Sequence, residues 1–171
     1  DCASDLADKF DPLYGGFRFI RTNPRVPKFP EPSNLLFLLN QVQAKTLKKD
    51  ALAKAEKQLL FTLDRMAIGG IRDHLGGGFH RYSVDRFWRI PHFEKMLYDN
   101  GQLAMVYSRA YQLGKHESYK RVVYEMLEFV QREMTNKEGG FYSALDAESE
   151  NEEGKFYRWS RDEIKKILTA K

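Results

Sequence analysis

The sequence predicts an all-α fold built of helical hairpins, the unit of an α/α toroid or solenoid, and three observations predict it. A glycine–aromatic turn recurs as Gly15-Gly16-Phe17, Gly77-Gly78-Phe79 and Gly139-Gly140-Phe141, each copy 62 residues after the last, with Asp11 and Asp73 at the same offset from it. Two helices of about 12 to 20 residues with two connections fill such a period. Between the turns, apolar residues recur at the three- and four-residue spacing of a buried helical face. The period divides a single domain over 1–171 into repeats at about 11–70 and 71–135 and an incomplete one at 136–171. Residues common to every copy are expected to serve the fold; residues found in one copy are candidates for chemistry.

Taken in order, 4–9 reads as the tail of a helix, and a loop rich in Gly, Pro and Arg follows over 11–32. Ser33 is placed to cap a helix over 34–44. A second helix spans 49–68, with Leu52, Ala55, Leu59, Leu63 and Met66 on one face and Gly69-Gly70 as a left-handed stop. The second repeat has a loop over 71–91, a helix over 93–113 closed by Gly114, and a partner from 117 whose stripe is Tyr119, Val122, Val123, Met126, Leu127, Val130 and Met134. Residues 136–140 end it. An acidic loop over 144–154 and a short helix over 161–168 complete the chain. Pro27-Lys28-Phe29 and Pro91-His92-Phe93 are 64 residues apart, and Lys155-Phe156-Tyr157 takes the third slot without its proline. Both recurrent elements read as structural: glycine permits positive φ at a bend, and the aromatics fill the interior.

Composition bounds the function. With 42% apolar and 13% aromatic residues the chain can bury a sizeable core. A net charge of +4 is small, and the cluster Arg18, Arg21, Arg25, Lys28 is broken by prolines and matches no binding motif, so no nucleic-acid partner is expected. One cysteine, Cys2, precludes an internal disulfide and a cysteine-rich metal site and fits a reducing cytoplasm. No run of about 18 apolar residues is present, so no membrane span is expected. Phosphate-loop, H-E-x-x-H, G-x-S-x-G and C-x-x-C patterns are absent, which removes kinase, zinc-protease, serine-hydrolase and thioredoxin chemistry within these residues. No metal or cofactor is expected.

The second repeat adds what the others lack: His80-Arg81-Tyr82 after its glycine turn, then Trp88, His92, Glu94, Lys95, Asp99 and Asn100. Histidines and carboxylates can move protons, while Arg81, Tyr82 and Trp88 suit the wall of a polar, ring-shaped ligand. His80, His92 and Glu94 are thus candidate catalytic residues, and Arg81, Tyr82, Trp88, Asp99 and Asn100 candidate substrate contacts. Each has a plainer reading. Glu94 could complement a helix dipole, His92 could cap that helix, and His80 could be a satisfied core histidine. Asp99-Asn100-Gly101 places three poor helix formers in one helix at a cost of about 2 kcal/mol, which a kink or a polar cavity would offset. The acidic run Asp146, Glu148, Glu150, Glu152 and Glu153 reads as a solvated loop or, at Asp146, a fourth catalytic candidate; it lacks the glycine and terminal glutamate of a calcium loop.

The stretch from Gly76 through Asp85 (GGGFHRYSVD), then Trp88, Pro91 through Asn100 (PHFEKMLYDN) and Gln102-Leu103, resembles the spermatogenesis-associated protein 20 family. Gly139 through Glu150 (GGFYSALDAESE), Glu153 through Tyr157 and Trp159 match its next block, and Asp11, Gly15-Gly16-Phe17 and Pro27 through Pro30 match at the other end. The segment 18–26 is longer than the family's usual link. The resemblance implies the first hairpins of a toroid similar to six-hairpin glycosidases and sugar 2-epimerases, preceded in the family by a thioredoxin-like domain. It carries two expectations: a carbohydrate-active toroid with Glu94 or Asp146 as acid or base, or a non-catalytic module binding a ligand or partner for the thioredoxin-like domain. The 171-residue chain is also expected to self-associate, through apolar faces such as Leu35-Leu36-Phe37-Leu38-Leu39.

Overall fold

A computed structural model describes residues 2–18, 20, 23 and 26–169. The helices are α1 (Cys2–Asp8), α2 (Pro32–Ala44), α3 (Lys49–Ile68), α4 (Leu97–Gly114), α5 (Glu117–Glu133) and α6 (Arg161–Thr169). Among them run four two-residue strands, β1 (Lys95–Met96), β2 (Ala144–Leu145), β3 (Glu148–Ser149) and β4 (Glu152–Glu153), and a 3-10 turn at Lys155–Tyr157. Helices α2 and α3 form one hairpin, α4 and α5 the next; α4 packs on α2 and α3 touches α5, which gives two layers. Leu35, Leu38 and Leu39 of α2, Leu59, Leu63 and Met66 of α3, Val106 and Tyr107 of α4, and Val122 and Met126 of α5 meet in one core. Of the apolar run expected at the surface, Leu35, Leu38 and Leu39 are fully buried, while Leu36 and Phe37 are half-buried. Tyr107 donates its hydroxyl to the Leu63 carbonyl at 2.8 Å, so the one polar atom it takes into the core is satisfied.

Several boundaries differ from expectation for local reasons. Helix α2 begins at Pro32 with Glu31 before it, and Ser33 lies inside the first turn, where proline's missing N–H costs nothing. Gly69 is extended (φ −78°) rather than left-handed. Its glycine serves close approach: a Cβ would lie 2.7 Å from the Trp88 carbonyl oxygen, and one on Gly70 2.1 Å from that of Arg89. At the end of α4 it is Lys115, φ 55°, that turns left-handed, one residue after Gly114. Helix α4 begins at Leu97, four residues later than its apolar pattern suggests, because Lys95 and Met96 pair antiparallel with Leu145 and Ala144. His92 and Glu94 therefore precede the helix and neither cap it nor sit in its first turn. The acidic stretch is a hairpin, with Glu148 opposite Glu153.

Two buried lysines fix the glycine turns. Lys28 Nζ donates to Asp11 Oδ2 at 2.9 Å and to the Gly15 carbonyl at 2.7 Å. Lys95 Nζ repeats this on Asp73 Oδ2 and the Gly77 carbonyl, both at 2.8 Å. Each aspartate also closes its own turn, accepting backbone N–H groups of Leu13 and Tyr14 in one copy and of Leu75 and Gly76 in the other. Burial alone would raise the Asp11 carboxyl, but the Arg86 and Lys28 hydrogen bonds outweigh it and hold it at about 2. The same balance lowers Asp73. In the third copy Asn136 takes the aspartate's place and accepts the N–H groups of Glu138 and Gly140, with no lysine on it. The carboxylate is thus present where the lysine is. Phe17 and Phe79 are buried as expected, while Phe141 is 62% exposed.

Removing one member of a buried pair strands the other's charge. Lys95→Met is expected to destabilise the fold by about 3 kcal/mol, and Lys95→Met combined with Asp73→Asn by less, because the asparagine keeps the turn that Asn136 already makes. Urea unfolding of the two variants checks the order; a double variant no more stable than the single would contradict the clamp.

Candidate functional site

The chain from Phe79 to Glu94 forms an irregular ladder ahead of α4. The Arg81 N–H donates to the Glu94 carbonyl at 2.8 Å and the His92 N–H to the Tyr82 carbonyl at 3.0 Å, with Phe93 bulged between them at φ 27°. Asn100, inside α4, anchors it. Its Oδ1 accepts the Phe79 N–H at 2.7 Å, and its Nδ2 donates to the carbonyls of Phe79 at 3.0 Å and Met96 at 2.9 Å. The helix cost of Asn100 is offset by three hydrogen bonds, the two to Phe79 fully buried, that seat the ladder on the helix.

On one rung Arg81 Nη1 donates to Glu94 Oε2 at 2.9 Å, and this bond raises the guanidinium further. Tyr98 adds to that effect on Arg81. Asp99, 7% exposed, completes the group from the first turn of α4. Burial pushes its carboxyl up to about 6, Arg81 pulling it down and Glu94 pushing it up. Arg81 therefore faces two carboxyl groups, Glu94 in a direct ion pair and Asp99 with its proton held more tightly by burial, an arrangement in which Asp99 can hold and release a proton near neutral pH.

The adjacent rung carries an aromatic column. Phe29 stacks on Tyr82 and Tyr82 on His92, each pair 4.7 Å between ring centres. His92 Nε2 lies 3.8 Å from Glu153 Oε1, which ties the column to the acidic hairpin. Among the described residues, two buried nitrogens on these rungs, Arg81 Nε and His92 Nδ1, have no hydrogen-bond partner. Unpaired buried polar atoms are costly, and ligand hydroxyls would satisfy them.

The structure thus brings Arg81, Tyr82, His92, Glu94 and Asp99 onto one ladder and its supporting helix, with Asn100 beneath. His80 lies below the ladder at 2% exposure, its ring edge-on to Phe93 and Tyr157. Burial, then the charge of Lys95, lowers it to about 4, so it is a neutral core imidazole at pH 7. Trp88 is not in a ligand wall: it is fully buried, covers Gly16 and donates its indole N–H to the Tyr14 carbonyl at 2.8 Å. Asp146 is exposed and lines a separate cavity of about 660 Å³, to which Arg81, Tyr82, His92, Glu94 and Asp99 contribute nothing. Tyr98 and Glu153 are members that the repeat comparison did not single out as site residues. Lys95 belongs to the cluster the sequence singles out, but the clamping role it shares with Lys28 was not read, although each lysine follows a matched aspartate and glycine turn.

Among known proteins, the chain is 45% identical to spermatogenesis-associated protein 20 of Homo sapiens and 44% identical to that of Mus musculus, over 98% of its own length and 21% of theirs. It spans about a fifth of the curated relatives it matches, and the resemblance runs along almost the whole chain. No family model matches it. A sugar epimerase from a ruminal bacterium superposes with a TM-score of 0.67 over 85% of this chain and 37% of its own, at 14% identity. Cellobiose 2-epimerase from Spirochaeta thermophila does so with a TM-score of 0.66 over 82% and 35%, at 18% identity. Likeness at such identity shows the fold, that of an α/α toroid. No helix among the described residues is long and apolar enough to cross a membrane.

The raised carboxyl of Asp99 sets a pH signature. A native pKa of about 6 against an ordinary 3.8 means the folded chain binds this proton more tightly than the unfolded one. Its contribution is therefore full below about pH 4 and is lost as pH rises to about 6. Asp99→Asn is expected to raise stability at pH 7.5 by about 2 kcal/mol and to change little at pH 4, read from urea unfolding at both pH values. An equal effect at the two would contradict the assignment.

Proposed function

We propose that this chain, which matches the spermatogenesis-associated protein 20 family over nearly its whole length, supplies part of a carbohydrate-active site that moves protons on a sugar. The observation that carries this is the Arg81–Glu94 pair beside the buried Asp99. Its setting is a fold shared with proteins titled sugar epimerase, cellobiose 2-epimerase and D-mannose isomerase.

Epimerisation beside a sugar carbonyl needs one group to take a proton from carbon and another to return it to the opposite face. In this reading Glu94 takes the proton as the carboxylate of the ion pair. Asp99, whose proton leaves near pH 6, returns one. Arg81 stabilises the negative charge that develops on the carbonyl oxygen. His92, backed by Tyr82 in the column, presents its outer face to the sugar ring, and its unpaired Nδ1 meets a hydroxyl. Asn100 is a positioning residue that keeps the ladder on α4. The lone, exposed Cys2 suits a reducing compartment, and we place the protein in the cytoplasm.

Full-length protein incubated in D2O with glucose, mannose or cellobiose is expected to exchange the hydrogen beside the carbonyl carbon, followed by proton NMR. Glu94→Gln and Arg81→Gln should slow the exchange at least about 100-fold with the fold retained. Saturable binding without exchange would instead favour a non-catalytic ligand-binding module. Neither binding nor exchange would end the carbohydrate reading.

A further inference from the structure

The two lysine-clamped turns are built alike, yet their aspartates are used differently. In the first copy Arg86, from the loop of the next repeat, grips Asp11 with two hydrogen bonds, Nε to Oδ2 at 2.7 Å and Nη2 to Oδ1 at 2.8 Å. Its guanidinium lies over the Tyr14 ring at 5.0 Å, and Trp88 covers Lys28 at 5.1 Å. In the second copy Tyr157 takes the place of Trp88, 5.1 Å from Lys95, but no guanidinium reaches Asp73. Among the described residues its carboxylate takes only Lys95 and the two backbone N–H groups of its own turn. The repeat shows why. Counting the 62-residue period from Arg86 leads to Glu148; counting back two residues from the ring beside the lysine leads to Lys155. Glu148 has the wrong charge, and Lys155 is held by Glu150 at 2.8 Å.

The space left there is the cavity of about 660 Å³, bordered by Asp73 and by Phe129, Tyr157 and Trp159, with Asp146 and Glu148 on its rim. That is a volume in the range of small-ligand sites. The two basic groups on its wall are already engaged: Lys95 in its clamp, and Arg132 with Glu133 at 2.8 Å and the Gly76 carbonyl at 2.5 Å. A carboxylate with aromatic faces around it suits a flat organic cation, through charge-assisted hydrogen bonds and cation–π contact.

We infer that this cavity binds a small molecule bearing a guanidinium group, which Asp73 and the aromatic walls hold as Asp11 and Tyr14 hold Arg86. The site is separate from the Arg81–Glu94–Asp99 group and does not depend on that group's chemistry.

The test uses two shape-matched probes, n-butylguanidinium and n-butylurea, which differ in charge. The chain has two tryptophans, Trp88 in the core and Trp159 on the cavity, so two indole N–H signals report by NMR on labelled protein. Butylguanidinium should shift the Trp159 signal saturably and leave that of Trp88 in place, with butylurea at least about tenfold weaker by the same titration. Asp146→Asn and Glu148→Gln together should weaken butylguanidinium and leave butylurea unchanged. Asp73→Asn should narrow the difference between the probes; if that variant does not fold, the probe pair on the native chain and the rim variants decide. Equal affinities for the two probes, no saturable shift at Trp159, or full affinity in the rim double variant would each overturn the proposal.

Discussion

A lysine ammonium buried against an aspartate and a glycine carbonyl is the interaction on which this architecture rests. Taking both charges out of water costs several kcal/mol per ion, and only close geometry with every remaining donor and acceptor satisfied recovers it. Each lysine here has an aspartate and a carbonyl within 2.9 Å, and each aspartate also closes its own turn with backbone N–H groups. The result is a bend whose alternatives all leave a charge unpaired. Gly78 then accepts φ 78° and the ring of Phe129 at a distance no side chain would allow, since a Cβ there would lie 2.5 Å from that ring. The third copy fits the same logic in reverse: without a lysine, the turn is made by a neutral asparagine.

From the clamp the chain runs directly into the candidate site. Lys95 is at once the clamp of the second turn and the first residue of β1, and Phe79 is at once the plug of the core and the residue Asn100 holds. The ladder between them has little freedom, which is how Phe93 is kept at φ 27° and Asp99 is kept out of water. The candidate site is built on a constrained loop, so residues that look catalytic by type divide into those grouped on its rungs, such as Arg81 and Glu94, and those buried beneath them, such as His80.

Much of this was legible in the sequence because the repeat exposes it. The hairpins and their core faces follow from the 62-residue period and the spacing of apolar residues, the choice of toroid over solenoid from the family resemblance, and the chemical richness of the second loop from comparing copies. What was not legible depended on contacts between copies. Matching Pro27-Lys28-Phe29 with Pro91-His92-Phe93 paired Lys28 with His92, whereas in three dimensions its counterpart is Lys95, three residues on. Inserted residues between turn and lysine hide that correspondence from any fixed offset. Helix α4 started late because strand pairing with a loop 50 residues away outweighs local propensity. Trp88 looked like a ligand wall by residue type, but its indole fits over a glycine 72 residues earlier, which composition cannot reveal.

Native-state hydrogen exchange shows whether the clamped turn is as firmly held as the helices it joins. The amides of Phe79 and His80, bonded to Asn100 and to the Ile71 carbonyl, are expected to exchange only with global unfolding, at the same opening free energy as Val106 in the middle of α4. Exchange of those two amides hundreds of times faster than that of Val106, at the rate of an open surface loop, would contradict the account.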